Sequence, residues 1–88
     1  MIELGRVPPR RKTTPPPPAM LAFGQRVRDR RTDLGLSMEQ AADVIGIHWT
    51  HLGMVERGQR SSRIDNVLKT AAGLQTTPGA LLDGLPLH

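Results

Sequence analysis

Three arginines at intervals of three residues form the strongest local concentration of charge in the second half of the chain: Arg57, Arg60 and Arg63. Guanidinium groups donate charge-assisted hydrogen bonds to phosphate oxygens, so this cluster could contact a nucleic-acid backbone. The alternative is an ordinary solvated cluster without a partner. We favour phosphate contact, because the cluster lies in a predicted loop that follows a helix with hydrogen-bonding side chains on its surface.

The segment just before this loop carries side chains that can contact base edges. Thr50 can donate, accept and offer a methyl group to thymine, and His51 can bind a base or a phosphate. Trp49 and Met54 contribute apolar contact and one indole N–H. The alternative for Trp49 is packing on the domain surface, and the alternative for Met54 is filling of the core.

His48 and His51 lie three residues apart, a spacing at which two imidazoles could form a metal-binding pair. No cysteine or nearby carboxylate completes a ligand set, so we expect no metal site. The sequence also shows no Ser/His/Asp or Cys/His set, no glycine-rich phosphate loop and no carboxylate pair at a meaningful spacing. We therefore expect neither an enzyme nor a bound cofactor.

The formal charge of +4 and the pI near 11.1 favour a polyanionic partner, without distinguishing DNA from RNA or an anionic membrane. Residues 1–19 hold four basic side chains and one acidic one. Residues 20–88 are nearly neutral, so a binding surface there requires local clustering. The lack of cysteine and of any long apolar run favours a soluble cytoplasmic protein without a membrane span.

Residues 1–19 are predicted to form a basic, proline-rich arm outside the folded domain, which spans residues 20–88. Six of the 8 prolines lie in this arm, where they favour extended polyproline geometry over helix. A disordered extension is the favoured interpretation, and a DNA-contacting arm or a proline-rich peptide ligand are the alternatives. We expect the arm to be dispensable for folding, because its proline content denies it a core.

The folded region is predicted to be all-α. Its first helix begins at Met20 and ends at Gly35. Ser37 and Gln40 have the spacing of a capping box, which starts a second helix that runs to about Ile45. The first helix carries on one face Phe23, Val27, Arg31 and Leu34.

Three further helices follow in the second half of the chain. The third ends at Gly58. The segment 62–65 again has capping-box form and starts a fourth helix, which ends near Gly73. Thr77 and Pro78 provide an N-cap and a proline at the first position of a short fifth helix.

The most informative spacing joins the second and third helices through Ala42, Gly46, Leu52 and Val55. A small residue at 42 lets two helices cross closely, and Gly46 permits a tight left-handed turn. Leu52 and Val55 would anchor the next helix, so that its opposite face projects outward. An exposed helix of this kind fits the major groove of DNA.

In these features the chain resembles the phage repressor and Cro-like helix-turn-helix domains, the XRE family. The similarity covers about residues 21–85. Its motifs appear in chain order as Arg31, Gly35-Leu36-Ser37, Ala42, Gly46, Glu56-Arg57-Gly58 and Ala71-Ala72-Gly73-Leu74.

The resemblance implies a compact, five-helix, lambda-repressor-like domain. Its third helix would read bases, while the start of helix two and the loop after helix three would bind phosphates. The base-reading positions correspond to His48, Trp49, Thr50, His51 and Met54. The phosphate-binding positions correspond to Met38, Arg57, Arg60 and Arg63.

Two departures from the family pattern bear on this surface. The family commonly has glutamine where this chain has Met38, which leaves only the backbone N–H at that helix start to bind a phosphate. The usual polar residue on helix three is Gly53, which lowers helix propensity by about 1 kcal/mol relative to alanine. The family also pairs the positions of Arg31 and Glu56, and we expect a partly buried ion pair there.

The function implied is that of a sequence-specific transcriptional regulator, a repressor rather than an activator. It would bind double-stranded DNA as a homodimer, because a single domain of this size rarely provides enough specific contact area. The alternative is an interaction protein, such as an antitoxin-like or adaptor module. Its partner would bind the surface of helix five or the proline-rich arm.

Overall fold

The computed structural model describes residues 15–87, and within them the chain is all-helical, without a strand. The five helices are α1 (Pro18–Asp33), α2 (Met38–Ile45), α3 (Trp49–Glu56), α4 (Ile64–Gly73) and α5 (Pro78–Leu82). This confirms the predicted all-α, five-helix fold. Residues 1–14, which make up most of the predicted arm, lie outside the described residues.

The first helix begins two residues earlier than the sequence pattern indicated. Pro18 occupies its first turn, after Pro17 in extended conformation. A proline suits this place, because its fixed φ matches the helix and its missing N–H has no partner there in any case. The prolines therefore exclude helix only as far as Pro17. Pro18 and Ala19 belong to α1.

The capping box predicted for α2 is present. The N–H of Gln40 donates to Ser37 Oγ at 3.1 Å, and the N–H of Ser37 donates to Gln40 Oε1 at 2.9 Å. Thr77 likewise caps α5, with its Oγ1 accepting from the N–H of Ala80 at 3.0 Å. These side chains satisfy backbone donors that the first turn leaves free.

The second predicted capping box, at the start of α4, is wrong. Arg63 is the N-cap residue, and no side chain caps this end. Because the helix begins one residue later than expected, Ser62 lies outside the capping position. The carboxylate of Asp65 instead contacts Arg63, with 3.3 Å between Oδ1 and Nε.

The core lies between the five helices, each of which contributes to it. α1 packs on α3 and α5, and α2 packs on α3 and α4. The buried side chains of the core are Phe23, Val27, Ala41, Ala42, Ile45, Leu52, Val55, Val67, Ala71, Leu74 and Leu81. Aliphatic residues dominate, and each helix contributes at least one of them.

Gly24 sets the distance between α1 and α3. A Cβ at this position would lie 2.2 Å from the carbonyl oxygen of Val55 and 2.7 Å from that of Glu56. The backbones of the two helices therefore meet without a side chain between them. This close approach holds the carboxyl end of α3 against the middle of α1.

Within residues 15–87, no helix is both long and apolar enough to cross a membrane.

Candidate nucleic-acid interface

The turn between α2 and α3 has the geometry that the sequence spacing predicted. Gly46 adopts a left-handed φ of 89°, and its N–H donates to the carbonyl of Ala42 at 2.8 Å. Ala42, Leu52 and Val55 are buried. The inner face of α3 is thus anchored in the core, and its opposite face is presented to solvent.

The outer face of α3 combines positions 50, 53, 54 and 57, which follow the i, i+3, i+4, i+7 spacing of one helical face. Thr50, Met54 and Arg57 are exposed on it. A groove of about 370 Å³ runs between this face and the start of α2. It is lined by Met38, Glu39, Trp49, Thr50, Gly53, Met54 and Arg57.

Two of the predicted base-reading side chains are apolar and accessible. Trp49 is 50% exposed, and its ring stacks on that of His48 with 5.7 Å between centroids. Met54 is 38% exposed, so the alternative that it fills the core is wrong. Position 54 points outward because Leu52 and Val55 occupy the inner face of the same helix.

His48 caps the amino end of α3. Its Nδ1 accepts a hydrogen bond from the N–H of Thr50 at 3.1 Å and lies 2.6 Å from Thr50 Oγ1. A neutral ring with its proton on Nε2 fits the first of these contacts. The imidazole therefore satisfies a free backbone donor and orients the threonine hydroxyl at the edge of the groove.

This cap was missed in the sequence. Capping positions are normally recognised from serine, threonine, aspartate or asparagine, and histidine is not among them. The available signal was the place of His48, directly before the first helical residue of α3.

His51 is not brought together with the other predicted base-reading residues. It is partly buried, and its Nε2 is inaccessible and has no hydrogen-bond partner among the described residues. It does not line the groove that contains Thr50 and Met54. Residues 15–87 contain no cluster of three or more potential metal ligands, at the two histidines or elsewhere.

The three arginines of the predicted phosphate-binding loop occupy separate places. The guanidinium of Arg57 lies back over Gly53 on α3. Arg60 Nη1 approaches the sulfur of Met54 at 3.9 Å. Arg63 is largely exposed beside Asp65.

Arg31 and Glu56 form the expected ion pair between α1 and the end of α3. Arg31 Nε and Nη2 donate to the two carboxylate oxygens at 2.7 and 3.0 Å. Nη1 donates to the carbonyl of Leu36 at 3.0 Å. The side chains are 12% and 4% exposed, and hydrogen bonding to Glu56 raises the pKa of Arg31. The pair fixes the far end of the exposed helix.

Residues 27–81 match a family model described as helix-turn-helix, HTH_3. The chain belongs to this family. Control protein C.BamHI from Bacillus amyloliquefaciens is 38% identical to this helix-turn-helix chain over 64 residues, which are 72% of the chain and 79% of that protein. The family predicted from the sequence is thereby confirmed.

Solved structures support the same assignment of the helix-turn-helix chain. The restriction-modification controller protein C.AhdI from Aeromonas hydrophila is 44% identical, with a TM-score of 0.69 over 70% of this chain and 94% of that one. The P22 c2 repressor, solved in complex with a synthetic operator, is 27% identical, with a TM-score of 0.66 over 70% and 94%. The helix-turn-helix chain is a DNA-binding transcriptional regulator, as its sequence predicted.

Proposed function

We propose that this regulator acts as a repressor in the cytoplasm, binding an operator in double-stranded DNA with the outer face of α3 in the major groove. The observation that carries the proposal is the exposed outer face of α3. The inner face of this helix is anchored in the core, and the start of α2 borders the outer face. An α-helix fits the width of the major groove. The operator complex of the P22 c2 repressor and the controller proteins among the relatives support this mode of action.

Base readout is assigned to the side chains that line the groove, with Thr50 at their centre. Its hydroxyl and methyl can both contact a base edge, and the cap of His48 holds the hydroxyl in place. Trp49 and Met54 add apolar surface, which suits the methyl group of thymine. His51 is partly buried and does not line the groove, so it is left out of this assignment.

Phosphate contact is assigned to the start of α2 and to the loop between α3 and α4. The backbone N–H of Met38 lies in the first turn of α2, where the helix dipole favours an anion. Arg60 and Arg63 are exposed in the loop, so their guanidinium groups can reach a backbone beside the groove.

We propose a homodimer whose contact surface includes the outer face of α4. Ile64 and Leu68 are exposed there, one turn apart, at 73% and 53%. Asp65 and Lys69 border them with opposite charges. An antiparallel contact between two copies about a twofold axis would place each lysine near the aspartate of the other copy, so the surface is self-complementary.

The alternative is an antitoxin-like or adaptor module, whose protein partner would bind the surface of α5 or the proline-rich arm. A gel shift with the promoter DNA of its own gene, compared with co-purification of a protein partner, separates the two functions. A specific shift by the purified chain alone favours the regulator.

The division between base and phosphate contacts gives a direct test. Thr50→Ala should weaken binding to the preferred operator by about 1–3 kcal/mol and relax the preference at one base pair, because a base contact discriminates between sequences. Arg60→Ala should weaken binding to operator and unrelated DNA alike and reduce the slope of log affinity against log salt by about 0.9, because phosphates carry no direct sequence information. Fluorescence anisotropy over a series of salt concentrations measures both.

Arg28→Ala provides the control for charge, because it removes an exposed arginine on α1, outside the groove. It should leave both the salt slope and the base preference unchanged. The reading surface is assigned incorrectly if Thr50→Ala loses affinity equally for every sequence. The same conclusion follows if Arg60→Ala changes only the base preference.

A further inference from the structure

We propose that Arg57 reads a guanine base, and that it does so because Gly53 leaves room for its guanidinium on the outer face of α3. The proposal rests on the proposed function, since it deepens the assignment of that same groove. It gives Arg57 a different role from the one expected from its sequence position, which was contact with a phosphate.

The place of Arg57 on the helix is the first argument. It lies seven residues after Thr50 and four after Gly53, so the three positions share one face. Although it follows the last residue of α3, its backbone, with φ −88° and ψ 1°, does not turn away from that face. Side chains on a helix lean toward its amino end, which directs this one toward Gly53.

The space above Gly53 is the second argument. A Cβ on Gly53 would lie 3.0 Å from Arg57 Nη1, 3.6 Å from Nη2 and 3.7 Å from Cζ. The guanidinium therefore occupies the volume that a side chain at position 53 would claim. This explains why Gly53 is buried although it lies on the outer face of the helix.

The hydrogen bonds of Arg57 are the third argument. Its Nε donates to Gln59 Oε1 at 3.0 Å, which holds the side chain in its folded-back position. Among the described residues, no acceptor receives a hydrogen bond from Nη1 or Nη2, and the ion pairs join other arginines to Glu56 and Asp65. Two parallel N–H donors thus remain available within the groove.

This arrangement matches the edge of guanine. The planar guanidinium can donate to O6 and N7 of guanine together, which is the commonest specific contact in the major groove. The DNA phosphates lie at the rim of the major groove. Arg60 and Arg63 can reach them from the loop between α3 and α4. Arg57 lines the same groove of the protein as Thr50 and Met54, where base edges would face it.

The test begins with the operator selected by the full chain from random double-stranded DNA. Each guanine of its half-site is then replaced in turn by 7-deazaguanine, which lacks the N7 acceptor. At one guanine, this replacement should weaken binding of the unmodified chain roughly tenfold and leave binding of Arg57→Ala unchanged. Arg63→Ala, which loses the same charge, should still respond to the replacement as the unmodified chain does.

A second variant tests the role of the glycine. Gly53→Ala should raise the melting temperature, because alanine favours helix, yet it should weaken the response to 7-deazaguanine by displacing the guanidinium. Arg57→Ala could instead lose affinity on every 7-deazaguanine replacement as the unmodified chain does, and differ from it only in a smaller slope of log affinity against log salt. In that case Arg57 contacts a phosphate and the proposal is overturned. If the unmodified chain selects no sequence at all, the proposed function itself fails, and this assignment fails with it.

Discussion

Replacing Glu56 by alanine is expected to lower the free energy of unfolding by about 3–5 kcal/mol. The carboxylate is 4% exposed and accepts both hydrogen bonds from Arg31, whose own side chain is only 12% exposed. Removing it leaves a permanently charged guanidinium between α1 and α3 with the carbonyl of Leu36 as its remaining acceptor. The cost of burying that charge without its partner is the source of the large effect.

Urea denaturation followed by circular dichroism measures this loss. The matched control is Asp65→Ala, which removes the carboxylate of the exposed pair with Arg63. Exposed pairs contribute little, so this variant should lose less than about 1 kcal/mol. A loss below about 0.5 kcal/mol in Glu56→Ala would mean that the pair does not hold the two helices together.

Gly24→Ala is expected to destabilise the chain by at least about 2 kcal/mol, although alanine is the better helix former. The added Cβ would lie 2.2 Å from the carbonyl oxygen of Val55, and a backbone atom cannot move aside as a side chain can. Separating α1 from α3 would also expose Phe23 and Val27, which are buried beside this contact.

Gly53→Ala is the matched control for this prediction, since it makes the same change in the middle of another helix. The nearest atoms there belong to the flexible side chain of Arg57. This variant should be more stable than the unmodified chain by up to about 1 kcal/mol. Thermal melts of the two variants should therefore shift in opposite directions. A stabilising shift in Gly24→Ala would contradict the close helix approach described for α1 and α3.

Much of the fold could be predicted because its determinants are local. The apolar spacing of α1, the capping box at Ser37 and the left-handed turn at Gly46 each depend on residues within about three helical turns. The burial of Leu52 and Val55 then places the opposite face of α3 outward. The helix that carries the candidate site was therefore visible in the sequence.

The details of the surface could not be predicted, because they depend on side-chain geometry across positions. Nothing in the residue type indicates that His48 caps a helix or that Arg57 folds back over a glycine. Arg26 and Arg30 appear as free charge in the sequence, yet they donate to carbonyl oxygens of Asp83 and Leu74 near the carboxyl ends of other helices. Some of the basic side chains on α1 thus make hydrogen bonds within the fold.

Selection of bound sites from random double-stranded DNA by the full chain, followed by affinity measurement over a range of salt concentrations, tests the central claim most directly. A regulator that reads bases through α3 as a homodimer should enrich a twofold-symmetric sequence with half-sites about one helical turn apart. It should bind that sequence at least about 1,000-fold more tightly than unrelated DNA at physiological salt. Failure to enrich any sequence, with equal affinity for all DNA at every salt concentration, would contradict it.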